Sequence, residues 1–154
     1  TEAAYLHRHW LRTRPGDYDF GTRRRLMAGS ILGNTLYQKA LRLRILVRRQ
    51  VMSALEGLDV LVTPTRPVSP PRIETTTGLD SKEDVLRKFY GPRGGTGPFN
   101  LAAVPAMSVP CGFTSTGLPI GMQLSARPFD ETVVFLVGHG YQRRTDWHNR
   151  RPPL

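Results

Sequence analysis

The fold of this chain is indicated most clearly by residues 106–126, which read AMSVPCGFTSTGLPIGMQLSA. The final part, PIGMQLSA, alternates apolar residues with small or polar ones, a period of two that is typical of a strand with one buried face. The residues TSTG at 114–117 are typical of a turn. We therefore predict two neighbouring strands, 106–113 and 119–126, which form an antiparallel hairpin.

The preceding region adds a long helix and another strand. From about Ser30 to Glu56 apolar residues recur at steps of three and four, which predicts one amphipathic helix that Gly57 ends. The apolar stripe comprises Leu36, Ala40, Leu43, Val47, Val51, Ala54 and Leu58. Residues 58–63, LDVLVT, form a short β-branched run before Pro64 and predict a buried strand. Helix, tight turn and strand together make an α/β unit.

Shorter helical segments are expected on both sides of this unit. The patterns predict helix at 2–13, at 22–29, at 81–90, as one turn at 98–103, and from Asp130 onward. The last of these has acidic residues in its first turn and arginines in its last, as the helix dipole favours. Residues 64–78 are rich in proline, which predicts irregular structure there.

Length and composition favour one ordered domain. The chain has 154 residues, 39% of them hydrophobic, which is enough for a core of its own. It contains no run of about 18 apolar residues and no signal-peptide pattern, so we expect a cytoplasmic protein without a membrane span. The single cysteine, Cys111, excludes an internal disulfide and a multi-cysteine metal site, and we expect it to be a small buried side chain.

The net charge of +10 allows two interpretations. It could indicate binding to nucleic acid or to an acidic membrane surface. However, 19 of the 22 basic residues are arginines and they are spread along the chain. A solvated surface, or one that meets an acidic segment of another chain, explains this distribution better than a phosphate-binding site.

Candidate nucleophiles lack the partners that hydrolysis needs. Ser108 is not in a Gly-x-Ser-x-Gly turn that would expose it, so a structural role in a strand is expected. His148 has only Asp146 as a nearby acidic residue, and residues this close in sequence seldom orient each other as a triad does.

Metal and anion sites are not favoured either. His7 and His9 would diverge on a helix, and no third ligand accompanies them. The glycine-rich residues 91–97, GPRGGTG, could offer backbone N–H groups to an anion. They lack the Gly-Lys-Ser/Thr ending of a phosphate-binding loop, so a loop that lines a pocket is expected.

Several motifs together resemble the C-terminal part of the amidase signature family. They are DVLVTPT at 59–65, PFNLAAVPAMSVPCGF at 98–113, GLPIGMQL at 117–124, PFDE at 128–131 and TDWH at 145–148, preceded by the region of Arg24 to Gly29. The resemblance covers nearly the whole chain. It implies an α/β fold in which residues 1–154 form the C-terminal part of a mixed sheet flanked by helices, with one long helix and an antiparallel hairpin.

The resemblance also implies a chemistry that this segment cannot perform alone. The family hydrolyses non-peptide amides with a Ser–cis-Ser–Lys triad that lies well upstream of the matched region, without cofactor or metal. This chain has no Ser-Ser pair, and none of its three lysines is in a matching context. We therefore expect no catalytic residue here, only sheet and a wall of the substrate pocket. The alternatives are a non-catalytic subunit, one half of a split enzyme, or a basic nucleic-acid-binding module.

Five residues are the candidates for that pocket wall: Arg25, Arg93, Thr96, Phe99 and Asn100. By the resemblance, Arg25 matches a position where the glutamine-amidotransferase branch holds the substrate carboxylate, although a surface arginine is an equal possibility. The position seven residues before Asn100 is acidic in that branch and receives an ammonium group. It is Arg93 here, so glutamine is not the expected substrate.

The apolar stripe on the long helix needs a partner. In a whole amidase, preceding segments would cover such a surface. The expected partners are therefore an N-terminal amidase segment and a small amide substrate, with a homo-oligomer as a further possibility.

Overall fold

The computed structural model describes residues 1–70 and 94–153, and the chain divides into two compact units, Thr1–Ile45 and Leu46–Leu154. The helix predicted at 81–90 and the candidate Arg93 lie outside the described residues. No helix in the described part is long and apolar enough to cross a membrane.

The first unit consists of short helices. Helices α1 (Glu2–Leu6) and α2 (Arg8–Thr13) replace the single helix predicted at 2–13, because His7 leaves helical geometry and interrupts the helix. A 3-10 turn follows at Pro15–Asp17. Helix α3 (Phe20–Ile31) is longer than predicted, since the carboxylate of Asp19 caps it by accepting from the Thr22 N–H.

Helix α4 (Asn34–Ala54) starts later than the predicted long helix. The prediction that it begins near Ser30 was wrong, because α3 continues to Ile31 and Leu32 then adopts an extended conformation. Its end was predicted well. Gly57 has a φ of 72°, a left-handed conformation that glycine adopts without steric cost.

The second unit contains a three-stranded sheet. Strands β1 (Leu61–Pro64), β2 (Ala106–Phe113) and β3 (Pro119–Ser125) are arranged in the order β1-β3-β2, and both pairings are antiparallel. The predicted hairpin and the strand predicted at 58–63 are therefore confirmed. The expectation that this strand is buried was wrong, because the residues of β1 are partly or fully exposed and Val62 is 55% exposed. A mixed sheet was expected from the resemblance and would include parallel strand pairs. Among the described residues, both strand pairs are antiparallel. β1 begins at Leu61 rather than 58, because the turn after α4 extends to Leu58, whose N–H donates to the carbonyl of Leu55.

Helices α5 (Gly97–Ala102) and α6 (Glu131–Gln142) pack with this sheet in two apolar clusters. One cluster joins the end of α4 to α5 and comprises Val51, Leu55, Phe99 and Ala102, with Leu61 and Val104 against it. The other joins α6 to the hairpin and comprises Val109, Leu124, Ala126 and Val134. The predicted single turn of helix near 98–103 and the helix after Asp130 are thus confirmed.

The strand register separates two faces of the sheet. Paired residues in an antiparallel sheet point to the same side, and side chains alternate along each strand. Leu124, with its partners Val62 and Met107, therefore lies on one face. Gln123, with its partners Thr63 and Ser108, lies on the opposite face.

Candidate functional site

The candidate site is built on a row of hydrogen-bonding side chains, which we call the polar face. It comprises Thr63, Thr65, Ser108, Gln123 and Ser125. Gln123 is only 2% exposed, and its amide nitrogen donates to the Thr63 hydroxyl at 3.4 Å. Burying an amide is costly unless it is hydrogen-bonded, so this side chain is held in a defined position.

Two hydroxyl groups meet at the end of β1. Thr65 Oγ1 and Ser108 Oγ form a hydrogen bond of 2.6 Å across 43 residues of sequence. Gly121 lies between them on β3, where an added Cβ would stand 2.9 Å from Ser108 Oγ and 3.0 Å from Thr65 Oγ1. Only glycine leaves room for both hydroxyls, so the pair depends on the small residue at 121.

A glycine turn brings α5 against the same end of β1. The Gly95 N–H donates to the Thr65 carbonyl at 3.0 Å. A Cβ at Gly95 would lie 2.6 Å from the Pro64 carbonyl oxygen, which is a backbone atom and cannot move aside easily. The glycine-rich sequence predicted to be a loop therefore allows a close backbone approach, which fixes where α5 begins.

The structure places three of the five candidate pocket residues together. Thr96 immediately precedes α5, and Phe99 and Asn100 lie on it. The Asn100 side chain is exposed, whereas Phe99 is 6% exposed and packs against Val51 and Leu55. Phe99 thus anchors α5 in the core, and the surface near it is formed by Thr96 and Asn100.

The remaining two candidates are not brought to this surface by the described structure. Arg25 is an exposed residue of α3, in the first unit, where its charge helps to lower the pKa of Asp19 after the larger effect of the hydrogen bonds from Thr22. Arg93 lies outside the described residues. The role of each in binding a substrate stays a prediction.

Ser108 and the single cysteine, Cys111, occupy structural positions, although Cys111 is only partly buried rather than buried as expected. Ser108 is in the middle of β2 rather than on an exposed turn. The Cys111 thiol donates to the Ile120 carbonyl at 3.5 Å, and burial raises its pKa. A raised pKa keeps the thiol protonated at neutral pH, which is the opposite of the activation that a catalytic cysteine requires.

The histidines of the first helices do not form a metal site with neighbours. His7 Nδ1 is hydrogen-bonded to the Tyr18 hydroxyl at 2.9 Å and its ring contacts Trp10. Within residues 1–70 and 94–153, no group of three or more His, Cys, Asp or Glu side chains could hold a metal ion.

Comparison with known proteins assigns a family to this arrangement. A family model described as Amidase matches residues 2–135. The chain belongs to the amidase family. A glutamyl-tRNA(Gln) amidotransferase subunit of Rippkaea orientalis is 37% identical over 158 aligned positions, which cover 99% of this chain and 32% of that protein. The corresponding protein of Chloroflexus aggregans is 41% identical over 137 positions, which cover 86% of this chain and 27% of that protein.

Solved amidase-family structures share the fold. One described as a crystal structure of amidase has a TM-score of 0.73 at 25% identity and covers 93% of this chain and 32% of its own. A glutamyl-tRNA(Gln) amidotransferase subunit from Thermotoga maritima has a TM-score of 0.55 at 30% identity, covering 88% of this chain and 29% of its own. The chain therefore spans about a third of the length of these relatives.

Proposed function

We propose that this chain is part of an amidase that hydrolyses the carbon–nitrogen bond of a non-peptide amide. In the proposed reaction a serine attacks the carbonyl, a lysine accepts its proton through a bridging cis-serine, and backbone N–H groups hold the oxyanion. The proton returns to the nitrogen as the C–N bond breaks and the amine leaves, and water then hydrolyses the acyl-serine to release the acid. These groups come from a segment other than residues 1–154, whose sequence has no Ser-Ser pair. Residues 1–154 supply sheet and one wall of the pocket.

The polar face, in a chain of the amidase family, is the observation that carries this proposal. Gln123 and Ser125 are buried on it, whereas Thr65 is half-buried and Ser108 is exposed. Gln123 and the Thr65–Ser108 pair place hydrogen-bonding groups beside the glycine turn that begins α5. Ligand pockets commonly combine apolar walls with a few polar groups in fixed positions. A planar, polar amide group suits such a surface, because it needs both a donor and an acceptor to be oriented.

Asn100 and Thr96 are the proposed direct contacts to the substrate. Asn100 is exposed on α5 and Thr96, which immediately precedes this helix, is partly exposed, while Phe99 holds the helix in place from the core side. We propose Arg25 and Arg93 as further substrate-binding residues, each a cationic group for an acidic substituent. We also propose a cytoplasmic location and no requirement for a cofactor or metal.

Ammonia transfer from glutamine is the second candidate function. It is favoured by the identities of 37% and 41% to proteins named as amidotransferase subunits. Arg93 argues against it, because a guanidinium at this position would repel the ammonium group of glutamine. The two functions are distinguished by comparing glutamine with uncharged aryl and alkyl amides as substrates.

A chimera tests the proposed function directly. Residues 1–154 replace the aligned third of the Rippkaea orientalis protein, and hydrolysis of a panel of amides is measured. We expect the chimera to be active and the isolated chain to be inactive. A chimera that folds, as judged by its thermal unfolding, but hydrolyses no amide would contradict the proposal.

Asn100→Ala within the chimera tests the pocket wall. We expect kcat/KM to fall about tenfold, which corresponds to about 1.4 kcal/mol of lost transition-state stabilisation. The matched control is Asn149→Ala, at another exposed asparagine of the second unit, which should leave kcat/KM unchanged. Equal effects of the two substitutions on kcat/KM would show that Asn100 does not contact the substrate.

We further propose that a partner covers apolar surface of this chain, either an amidase N-terminal segment or a second copy. Leu36 and Leu43 of the predicted stripe are more than half exposed, as are Phe135 and Leu136 on α6. Phe129 is 95% exposed. At ~25 cal/mol per Å², covering a few hundred Å² of such surface contributes several kcal/mol.

Sedimentation velocity of purified 1–154 tests the need for such a partner. We expect self-association at micromolar concentration, together with binding of an apolar dye. The partner proposal would fail if the chain were a monodisperse monomer that unfolds cooperatively and binds no dye.

A further inference from the structure

A cavity of about 300 Å³ opens beside the polar face, between the end of β1 and the hairpin. Two residues described above also line this cavity: Thr65, which bonds to Ser108, and Gly121, which leaves room for that bond. Its volume is at the small end of the range for ligand pockets. The cavity therefore suits a molecule with one ring or a short chain, bound next to the proposed amide site.

The described lining is mainly apolar, with three hydroxyl residues, Thr65, Ser69 and Thr114, and a single cationic group. Among the described residues that line the cavity, Val68, Ile120 and three prolines contribute apolar surface, and Arg66 carries the only charge. The hydroxyls of Thr65 and Thr114 already bond to Ser108 and Thr116, at 2.6 and 2.9 Å. Arg66 is thus the group in this lining best able to bind a charged substituent.

Arg66 is exposed, and its neighbours constrain its backbone and the base of its side chain. The following residue is Pro67, which restricts the backbone of the preceding residue to extended conformations. A Cβ at Gly94 would stand 3.5 Å from Arg66 Cγ, so the glycine turn runs alongside the arginine stem. Among residues 1–70 and 94–153, no carboxylate pairs with Arg66.

We propose that this cavity binds a carboxylate carried by a small aromatic or short aliphatic amide, with Arg66 as its partner. The planar guanidinium donates two parallel hydrogen bonds to a carboxylate, a geometry that lysine cannot provide. One guanidinium matches the two oxygens of a carboxylate, whereas a phosphate has three oxygens and a second negative charge, for which the described lining supplies no second cation. The identification of the ligand as an amide rests on the proposed function, whereas the carboxylate site rests on the cavity itself.

Nuclear magnetic resonance titration of the chain 1–154 tests this site. The probes are 4-carbamoylbenzoate, which has an amide and a carboxylate, and benzamide, which lacks the carboxylate. We expect 4-carbamoylbenzoate to shift the backbone amide signals of Thr114, Ile120 and Gly121, and benzamide to bind at least about tenfold more weakly.

Variants separate Arg66 from the general positive charge of the chain. Arg66→Gln should weaken 4-carbamoylbenzoate binding about tenfold, while Arg49→Gln, at an exposed arginine of α4, should not change it. Val68→Trp fills the cavity from an exposed loop position and should abolish binding without altering the unfolding temperature. Circular dichroism confirms that each variant is folded.

Equal affinities for the two probes, or an unchanged affinity in Arg66→Gln, would overturn the inference. Shifts confined to residues away from the cavity would also overturn it. Binding needs no catalytic serine, so an inactive chimera would reject the proposed function while leaving this carboxylate site intact.

Discussion

The two faces of the small sheet are made by alternate residues of the same strands, yet one buries apolar side chains and the other buries polar ones. On one face Leu124 is 1% exposed and packs with Val109 and Val134. On the other face the neighbouring residues Gln123 and Ser125 are equally buried but polar. Apolar burial stabilises the fold, whereas polar burial costs free energy unless every group finds a partner.

Ser125 makes this difference clearest. Its side chain is fully buried, and its hydroxyl has no hydrogen-bond partner among the residues that the structure describes. A hydroxyl in this condition opposes folding by a measurable amount. Because Ser125 is fully buried, it does not contact a ligand itself, and the polar face meets solvent instead at Thr65 and Ser108.

The largest expected effect is on the apolar face. Leu124→Ala should lower the free energy of unfolding by about 3 kcal/mol, because it removes buried methyl groups and leaves a cavity. The control is Val62→Ala. Val62 is the exposed partner of Leu124 on the same face, and its substitution should lower the free energy of unfolding by less than about 1 kcal/mol. Urea denaturation measures both, and similar losses would mean that this face is not a packed core.

The glycine turn beside the polar face should be the next most sensitive position. Gly95→Ala should lower the free energy of unfolding by about 2 kcal/mol, because the new Cβ collides with the Pro64 carbonyl. Gly97→Ala is the matched control, since a Cβ there meets nothing within 4 Å and alanine favours the helix. The proposed close approach is wrong if both variants melt at the same temperature.

On the polar face, loss of the hydrogen bond between the Thr65 and Ser108 hydroxyls should lower the free energy of unfolding moderately. Ser108→Ala removes the 2.6 Å hydrogen bond to Thr65 and should cost about 1 kcal/mol, the usual net value of one such bond. The measurement is again urea denaturation. A cost near zero would show that this bond contributes nothing to stability in solution.

Ser125→Ala should produce the smallest change, and of the opposite sign. Removing a buried hydroxyl without a described partner should leave the free energy of unfolding unchanged or raise it by up to about 1 kcal/mol. Ser108→Ala serves as the comparison, since that hydroxyl does have a partner. If Ser125→Ala instead destabilised the chain by more than about 1 kcal/mol, the two faces would differ less than we infer.

The sheet could be predicted because its signals are local. The alternation in PIGMQLSA and the turn TSTG both lie within the hairpin, so neighbouring residues carried the information. Helix ends were predicted less well. The interruption at His7 was missed, because the spacing of apolar residues gives no signal for a single residue that leaves helical geometry.

The candidate site was predictable only in part. The segment from Thr96 to Asn100 was identified by resemblance, but α5 has too few residues for a periodic pattern to show that Phe99 faces the core. The polar alternation in β3 was visible in the sequence. The hydrogen bond between Thr65 and Ser108 was not visible, because it depends on how β1 and β2 both align with β3.

The prolines of the sheet bear on how the chain associates with other copies. Of the strands that the structure describes, β1 and β2 are the outer ones, and they carry Pro64 and Pro110. Proline has no N–H group, so each outer strand has a gap in its row of donors. Such gaps hinder the strand-by-strand stacking that leads to fibrous aggregates. Copies of this chain that meet at high concentration should therefore join through helix surfaces, and remain separable, rather than through continuous β-sheet.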